Sequence, residues 1–163
     1  MDREKPATIL FVCTGNTCRS PMAEAIARKE LDRRGWNHVA VASAGVAAFP
    51  DEPASLHARL LARQRGTSLD EHRSRSIDEG ALEGADWVLT MTPTHLERVM
   101  ALNPPAPVDL LGSFDTSGQG GGVRAIPDPY GMDLAAYEAT WDTLEPLVIQ
   151  ALERFSPRSG ENK

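Results

Sequence analysis

Cysteine is scarce in this 163-residue chain: there are two, Cys13 and Cys18. Two thiols so close together cannot form the multi-bridge framework that staples small secreted domains. Nor do they suffice for a structural zinc site, which wants four ligands, and no His or further Cys stands beside them. An excess of positive charge is also missing. Lys plus Arg number 17 against 23 Asp plus Glu, a net charge of -6. Such a chain repels the phosphate backbone, so nucleic acid is not an expected partner. Long apolar runs are absent as well. Nothing approaches the roughly 20 residues that span a bilayer, so no membrane partner is expected. The best early run, Ala7 to Cys13, is too short for most signal-peptide cores and leads straight into Thr-Gly-Asn. The expected location is therefore the cytoplasm. No internal repeat is visible, and the oligomeric state is not legible.

What is present is an ordinary globular balance, 41% hydrophobic and 25% charged. A chain this long buries roughly 70% of its unfolded surface and needs no covalent staples. One domain over 1–163 is expected, with frayed ends at about 1–6 and 157–163.

Ala7 to Cys13 is a continuous apolar, β-rich run, which suits a strand buried on both faces. Ser20 and Pro21 read as N-cap and first residue of a helix reaching Arg34, which Gly35 stops. His38 to Ser43 is a second strand. Residues 54–65 form a helix with Leu56, Leu60 and Leu61 inward, and 67–76 is polar and irregular. A short helix is expected over 77–84, a third strand over 85–91, a helix from Pro93 to about Leu102, and a short strand over 108–111. The glycine-rich stretch 112–127 is the most flexible; it lacks the Lys-Ser/Thr ending of a nucleotide-binding loop. Leu134, Tyr137, Trp141, Leu144, Val148, Leu152 and Phe155 step by three and four, one core-facing stripe of a last helix. Pro146 inside it predicts a kink. Alternating strands and helices argue for a parallel sheet covered on both faces. Ligands of such sheets sit beyond the carboxyl ends of the strands.

The loop after the first strand is Cys13-Thr14-Gly15-Asn16-Thr17-Cys18-Arg19-Ser20. Successive backbone N–H groups curled around a point make an anion nest. The following helix N-terminus adds about half a positive charge aimed the same way. Gly15 and Asn16 tolerate the left-handed backbone such a curl needs. Arg19 offers a planar fork for two phosphate oxygens. A cysteine at the bottom of that positive bowl favours its thiolate, poised for in-line attack on phosphorus.

The string Cys13-Thr-Gly-Asn-Thr-Cys-Arg-Ser-Pro-Met-Ala-Glu24, with Ser43-Ala44-Gly45, His72-Arg73-Ser74-Arg75 and a late Asp128-Pro129-Tyr130, resembles the low-molecular-weight protein tyrosine phosphatases over about residues 7–155. The resemblance implies a three-layer α/β/α sandwich: a four-stranded parallel sheet in order 2-1-3-4, about five helices, and the phosphate loop after strand 1. It implies that Cys13 attacks phosphorus to form a thiophosphate. Asp128 would protonate the leaving atom and then deprotonate water. Arg19 and the amides of the loop from Thr14 to Ser20 would hold the equatorial oxygens, so neither metal nor cofactor is required. Asn16, Ser20, Ser43 and His72 match a polar network that shapes the loop. Cys18 either pairs with Cys13 under oxidation or is a small residue turned away.

The expected partner is a phosphorylated protein or peptide. Thr17 stands where eukaryotic members carry a branched aliphatic residue and where a bacterial protein-arginine phosphatase branch carries Thr. A hydroxyl can accept a hydrogen bond from a guanidinium N–H, which a methyl group cannot. Phe49 and Tyr130 match aromatic pocket walls, which suit a phosphotyrosine ring and also stack on a guanidinium. Gly131 replaces a second Tyr and opens one side of the pocket. Phosphoarginine is slightly favoured and phosphotyrosine stays open. A thioredoxin-coupled arsenate reductase would need cysteines after Cys18, and none exists. A catalytically silent phosphate-binding module would be expected to have lost Cys13 or Asp128. A phosphatase of a small metabolite also remains open. His38, His57 and His95 read as surface or satisfied histidines.

Overall fold

A computed structural model describes residues 5–115 and 125–157, together with the backbone but not the side chain of Glu79. The sheet is built around strand β1 (Ala7–Cys13), which pairs in parallel with β2 (Val39–Gly45) on one side and β3 (Trp87–Thr90) on the other. A fourth strand, β4 (Val108–Leu110), pairs in parallel with β3, giving the order 2-1-3-4. Five helices intervene: α1 (Arg19–Arg34), α2 (Leu56–Gln64), α3 (Glu79–Glu83), α4 (Pro93–Met100) and α5 (Leu134–Leu152).

Both parities of β1 are apolar because both faces are covered. Ile9, Phe11 and Cys13 join one core with residues of α1, α2 and α5; Leu10 and Val12 join a second with residues of α3 and α4. The result is the three-layer sandwich, and it places the end of β1 in the middle of the molecule's carboxyl edge.

Several boundaries differ from the sequence expectation. The second strand runs on to Gly45, because its last residue pairs with Cys13. The third strand is shorter at both ends, and Leu111 turns out of the fourth into a 3-10 turn, Leu111–Phe114. The α2 face is a correction: Ala58, Leu61 and Ala62 are buried, whereas Leu56 and Leu60 are 57% and 38% exposed. Leucines at 56 and 60 lie on one side of the helix, and the small alanines permit close packing on the other. Segment 67–76 has little regular structure but is tied down. The Gly45 and Ile77 amides form a bridge across Gly45 and Ser76, with Gly45 N to Arg75 O and Ile77 N to Gly45 O both 2.9 Å. Helix α5 continues through Pro146, whose ring is on the exposed side. Of the stretch expected to be most flexible, 116–124 lies outside the described residues, as do 1–4 and 158–163 at the ends. Among the described residues no helix is long and apolar enough to cross a membrane.

Candidate active site

The loop that leaves β1 is held by its carbonyls. Val46 N donates to Cys13 O (2.9 Å), Ala47 N to Thr14 O (2.9 Å), Ser55 N to Thr17 O (3.0 Å), and His72 Nε2 to Asn16 O (2.7 Å). In a trans peptide the next residue's N–H points opposite to the carbonyl. Tying these four carbonyls to the surrounding scaffold therefore turns the amides of Thr14, Gly15, Thr17 and Cys18 inward. That is the anion nest expected from the sequence, and three separate segments of chain enforce it.

One residue makes the curl possible. Of the two residues that tolerate a left-handed backbone, Asn16 adopts it, with φ of 59°, and Gly15 does not. Asn16 is fully buried and its amide is completely used. Nδ2 donates to Ser20 Oγ (2.9 Å) and Ser43 Oγ (3.0 Å), and Oδ1 accepts from Arg75 N (2.9 Å). Ser43 in turn donates to Glu24 Oε1 at 2.7 Å. Gly45 matters for a different reason: a Cβ there would collide with the Thr14 carbonyl and crowd the Asn16 amide.

Ser20 is not the N-cap. Helix α1 begins at Arg19 with Cys18 as N-cap, and no side chain caps it. The Ser20 hydroxyl lies instead 3.0 Å from Cys13 Sγ and 3.4 Å from the Ala44 carbonyl, and the Ser20 amide approaches the same sulfur at 3.4 Å. The Ser20 amide, a hydroxyl able to donate to a thiolate and a helix N-terminus thus converge on Cys13. Both cysteines are free and buried. Cys18 is engaged elsewhere, with Sγ 3.1 Å from Tyr137 Oη and 3.5 Å from Ser55 Oγ. Burial, then the bond to Cys18, pushes the Tyr137 phenol up.

Arg19 is almost wholly buried. Nη1 donates to Ile126 O (2.9 Å); Nη2 donates to Thr14 Oγ1 (3.3 Å) and lies 3.4 Å from Asp128 Oδ2. Asp128 arrives on the segment after Ile126, whose amide is tied to Met91 O at the end of β3 (2.9 Å). Its Oδ1 accepts from Tyr130 N at 3.1 Å, a local turn that fixes the carboxylate. Above these groups is a pocket of about 560 Å³. Cys13, Thr17, Arg19 and Asp128 line it, and Phe49 (78% exposed), Leu56 and Tyr130 (69% exposed) form its mouth. All thirteen residues read as site residues from the sequence fall within this loop, its network or the pocket walls.

Four participants escaped the sequence reading. Tyr137 and Ser55 hold Cys18. Leu56 is a pocket wall, not a core residue. His95 is 3% exposed, with Nε2 2.8 Å from Thr14 Oγ1. Burial, followed by the Arg19 and Arg98 charges and opposed by Asp128, lowers its pKa from 6.5 to about 4. Between those values an unfolded His95 takes up a proton that the folded one refuses. Fold stability is therefore expected to drop as pH falls from 6.5 towards 4. Urea denaturation across that range should show a shallower drop for His95→Phe than for the parent; an identical slope would assign the acid sensitivity elsewhere.

Comparison with known proteins bears on this geometry. The family described as low molecular weight phosphotyrosine protein phosphatase matches residues 8–158. A protein-arginine-phosphatase of Geobacillus stearothermophilus is 38% identical over 152 residues, 92% of this chain and 97% of that one. The low molecular weight protein-tyrosine-phosphatase Etp of Escherichia coli K12 is 36% identical over 149 residues, covering 91% and 95%. Among solved structures, a YwlE arginine phosphatase variant with a phosphorylated serine in place of the active-site cysteine superposes with a TM-score of 0.81. It is 34% identical, over 94% of this chain and 98% of that one.

Proposed function

The chain belongs to the low molecular weight phosphotyrosine protein phosphatase family and is a phosphoprotein phosphatase of that type, and on that premise we propose that it acts preferentially on phosphoarginine in proteins. Phosphoarginine and phosphotyrosine share the first chemical step. The Cys13 thiolate attacks phosphorus in line, forming the S–P bond as the P–N or P–O bond breaks. Asp128 gives its proton to the departing nitrogen or oxygen and then takes one from the water that cleaves the thiophosphate. Arg19 and the inward amides hold the charge that spreads over the three equatorial oxygens. Ser20 steadies the sulfur as it leaves. Asn16, Ser43 and His72 act through the loop's shape.

Thr17 carries the preference. It lines the pocket beside the loop, where its hydroxyl can accept from the guanidino N–H groups that flank a P–N bond. Phe49 and Tyr130 at the mouth can stack on the guanidinium plane. Two of the named relatives are arginine phosphatases, which supports the same reading. The free thiols suit a reducing cytoplasm, the location we assign. We also take the 163 residues to act as one phosphatase domain.

The test is kcat/KM on a phosphoarginine peptide against a matched phosphotyrosine peptide. A ratio well above one is expected; a ratio well below one makes this a tyrosine phosphatase with Phe49 and Tyr130 as the walls that matter. Thr17→Ile should lower the ratio by roughly tenfold or more, the worth of one lost hydrogen bond to a charged group. An unchanged ratio would remove Thr17 as the selector.

A further inference from the structure

Thr14 is the one exposed side chain among the loop residues, and it is contacted from two directions. Arg19 Nη2 donates to its oxygen at 3.3 Å, and His95 Nε2 stands 2.8 Å away. A hydroxyl has two lone pairs and one proton. Where that proton goes depends on the tautomer of His95.

His95 is set in place by its own helix. Thr92, the N-cap of α4, accepts from the His95 amide at 3.2 Å, which seats the imidazole three residues into the helix and under the loop. The other ring nitrogen, Nδ1, is buried and meets no partner among the described residues. If the Thr14 hydroxyl donated to Nε2, the ring proton would sit on Nδ1, a buried N–H with nothing to accept it. If Nε2 carries the proton, Nδ1 is left as an unsatisfied acceptor instead. Buried orphan N–H groups are rarer than under-used acceptors, so the second arrangement is favoured. The low pKa agrees, since a neutral ring has one proton to place, and the charged groups that face it are Arg19, Arg98 and Asp128.

We infer that His95 is a positioning residue which, by donating from Nε2 to Thr14 Oγ1, turns the Thr14 proton into the pocket to bind a non-bridging oxygen of the phosphoryl group. With one lone pair taken by Arg19 and the other by His95, the hydroxyl has only its proton left to offer, and the pocket is the side left open. Thr14 thereby becomes one more phosphate donor beside the inward amides, and its acceptance from Nη2 also helps set the guanidinium fork. The inference rests on the phosphatase reading of the site, but its central observable is phosphate affinity, which does not require turnover.

The experiment is a double-mutant cycle with Thr14→Val, His95→Phe and the pair, read by inorganic phosphate affinity in calorimetry and by kcat/KM on aryl phosphates of graded leaving-group pKa. Each single variant is expected to lose about tenfold in both, by the same factor for every leaving group, since the contact is to the transferred group. The double variant should lose no more than either single one, because His95 acts through Thr14. Thr14→Ser and His95→Gln should recover most of the loss. Losses that multiply in the double variant, or a Thr14→Val enzyme with unchanged phosphate affinity, would overturn the inference. Should His95→Phe fail to fold, Thr14→Val and His95→Gln still decide it: Gln must be near parent and Val must not. An enzyme that binds phosphate with this pattern yet hydrolyses nothing would instead sink the phosphatase reading and leave the His95 link standing.

Discussion

Cys13→Ser is expected to abolish turnover, a loss on the order of 10⁴-fold or more, typical of removing a nucleophile, while inorganic phosphate still binds. The two halves follow from different atoms. Phosphate is held by the inward amides of the loop and by Arg19, whose positions depend on carbonyl bonds to Val46, Ala47, Ser55 and His72 and on the Arg19 bond to Ile126 O. None of these uses the sulfur. The bond to phosphorus depends on the sulfur: a serine hydroxyl is far less acidic than a thiol, and the partners beside Cys13 are the hydroxyl and amide of Ser20, neither of them a base. Turnover at more than a thousandth of the parent rate would remove Cys13 as nucleophile, whereas loss of phosphate affinity would show that the loop had collapsed.

The parts of the site that sequence reveals are those that are local. Cys13, Arg19 and the helix start lie within one loop, and their chemistry can be read from order alone. Asn16 was also legible, because asparagine tolerates the left-handed backbone that the curl needs and matches a polar network in the family that the loop resembles. The partners that satisfy it come from far along the chain: Ser43, His72 and Arg75 lie 27 to 59 residues away. Ser43 and His72 were found only through their own short strings, and the part played by the Arg75 amide was not read. His95 has no such string. It sits 81 residues from Thr14, on a helix whose sequence shows a plain amphipathic pattern, and nothing in that pattern tells a histidine turned to the loop from one turned to solvent. Tyr137 was hidden more thoroughly. Its ring belongs to the apolar stripe of α5, as read, but its hydroxyl extends past the core to Cys18, 119 residues away. Periodicity reports the face a residue occupies and says nothing about the polar atom at its tip.

Helix α2 shows the opposite failure. Leu56 and Leu60 follow the apolar rule and were placed inward, yet the core takes Ala58, Leu61 and Ala62. In a nine-residue helix two apolar stripes compete, and the choice falls to tertiary packing. Here it frees Leu56 for the pocket mouth beside Phe49 and Tyr130, so an exposed leucine serves the site, where a buried one was expected.

Asp128→Asn should separate substrates by their leaving groups. The carboxylate is held by two contacts, Oδ1 by the Tyr130 amide and Oδ2 by Arg19. An asparagine oxygen can keep the first of these, so the turn and the position of Tyr130 should survive. What it cannot do is surrender a proton. With an activated aryl phosphate the departing phenolate needs little help, and the loss should be small. With phosphotyrosine it should reach roughly 10²-fold, and with phosphoarginine approach 10⁴-fold, the upper end of general acid catalysis. The order follows from the chemistry of departure. A phosphorylated guanidinium whose nitrogen is expelled without protonation would leave as neutral guanidine, a stronger base than phenolate, so P–N cleavage depends on the acid more than P–O cleavage does. A plot of log kcat/KM against leaving-group pKa, which reports thiophosphate formation and not its hydrolysis, should be nearly flat for the parent and steep for the variant. Parallel lines would remove Asp128 from the acid role and leave it as a partner that merely orients Arg19.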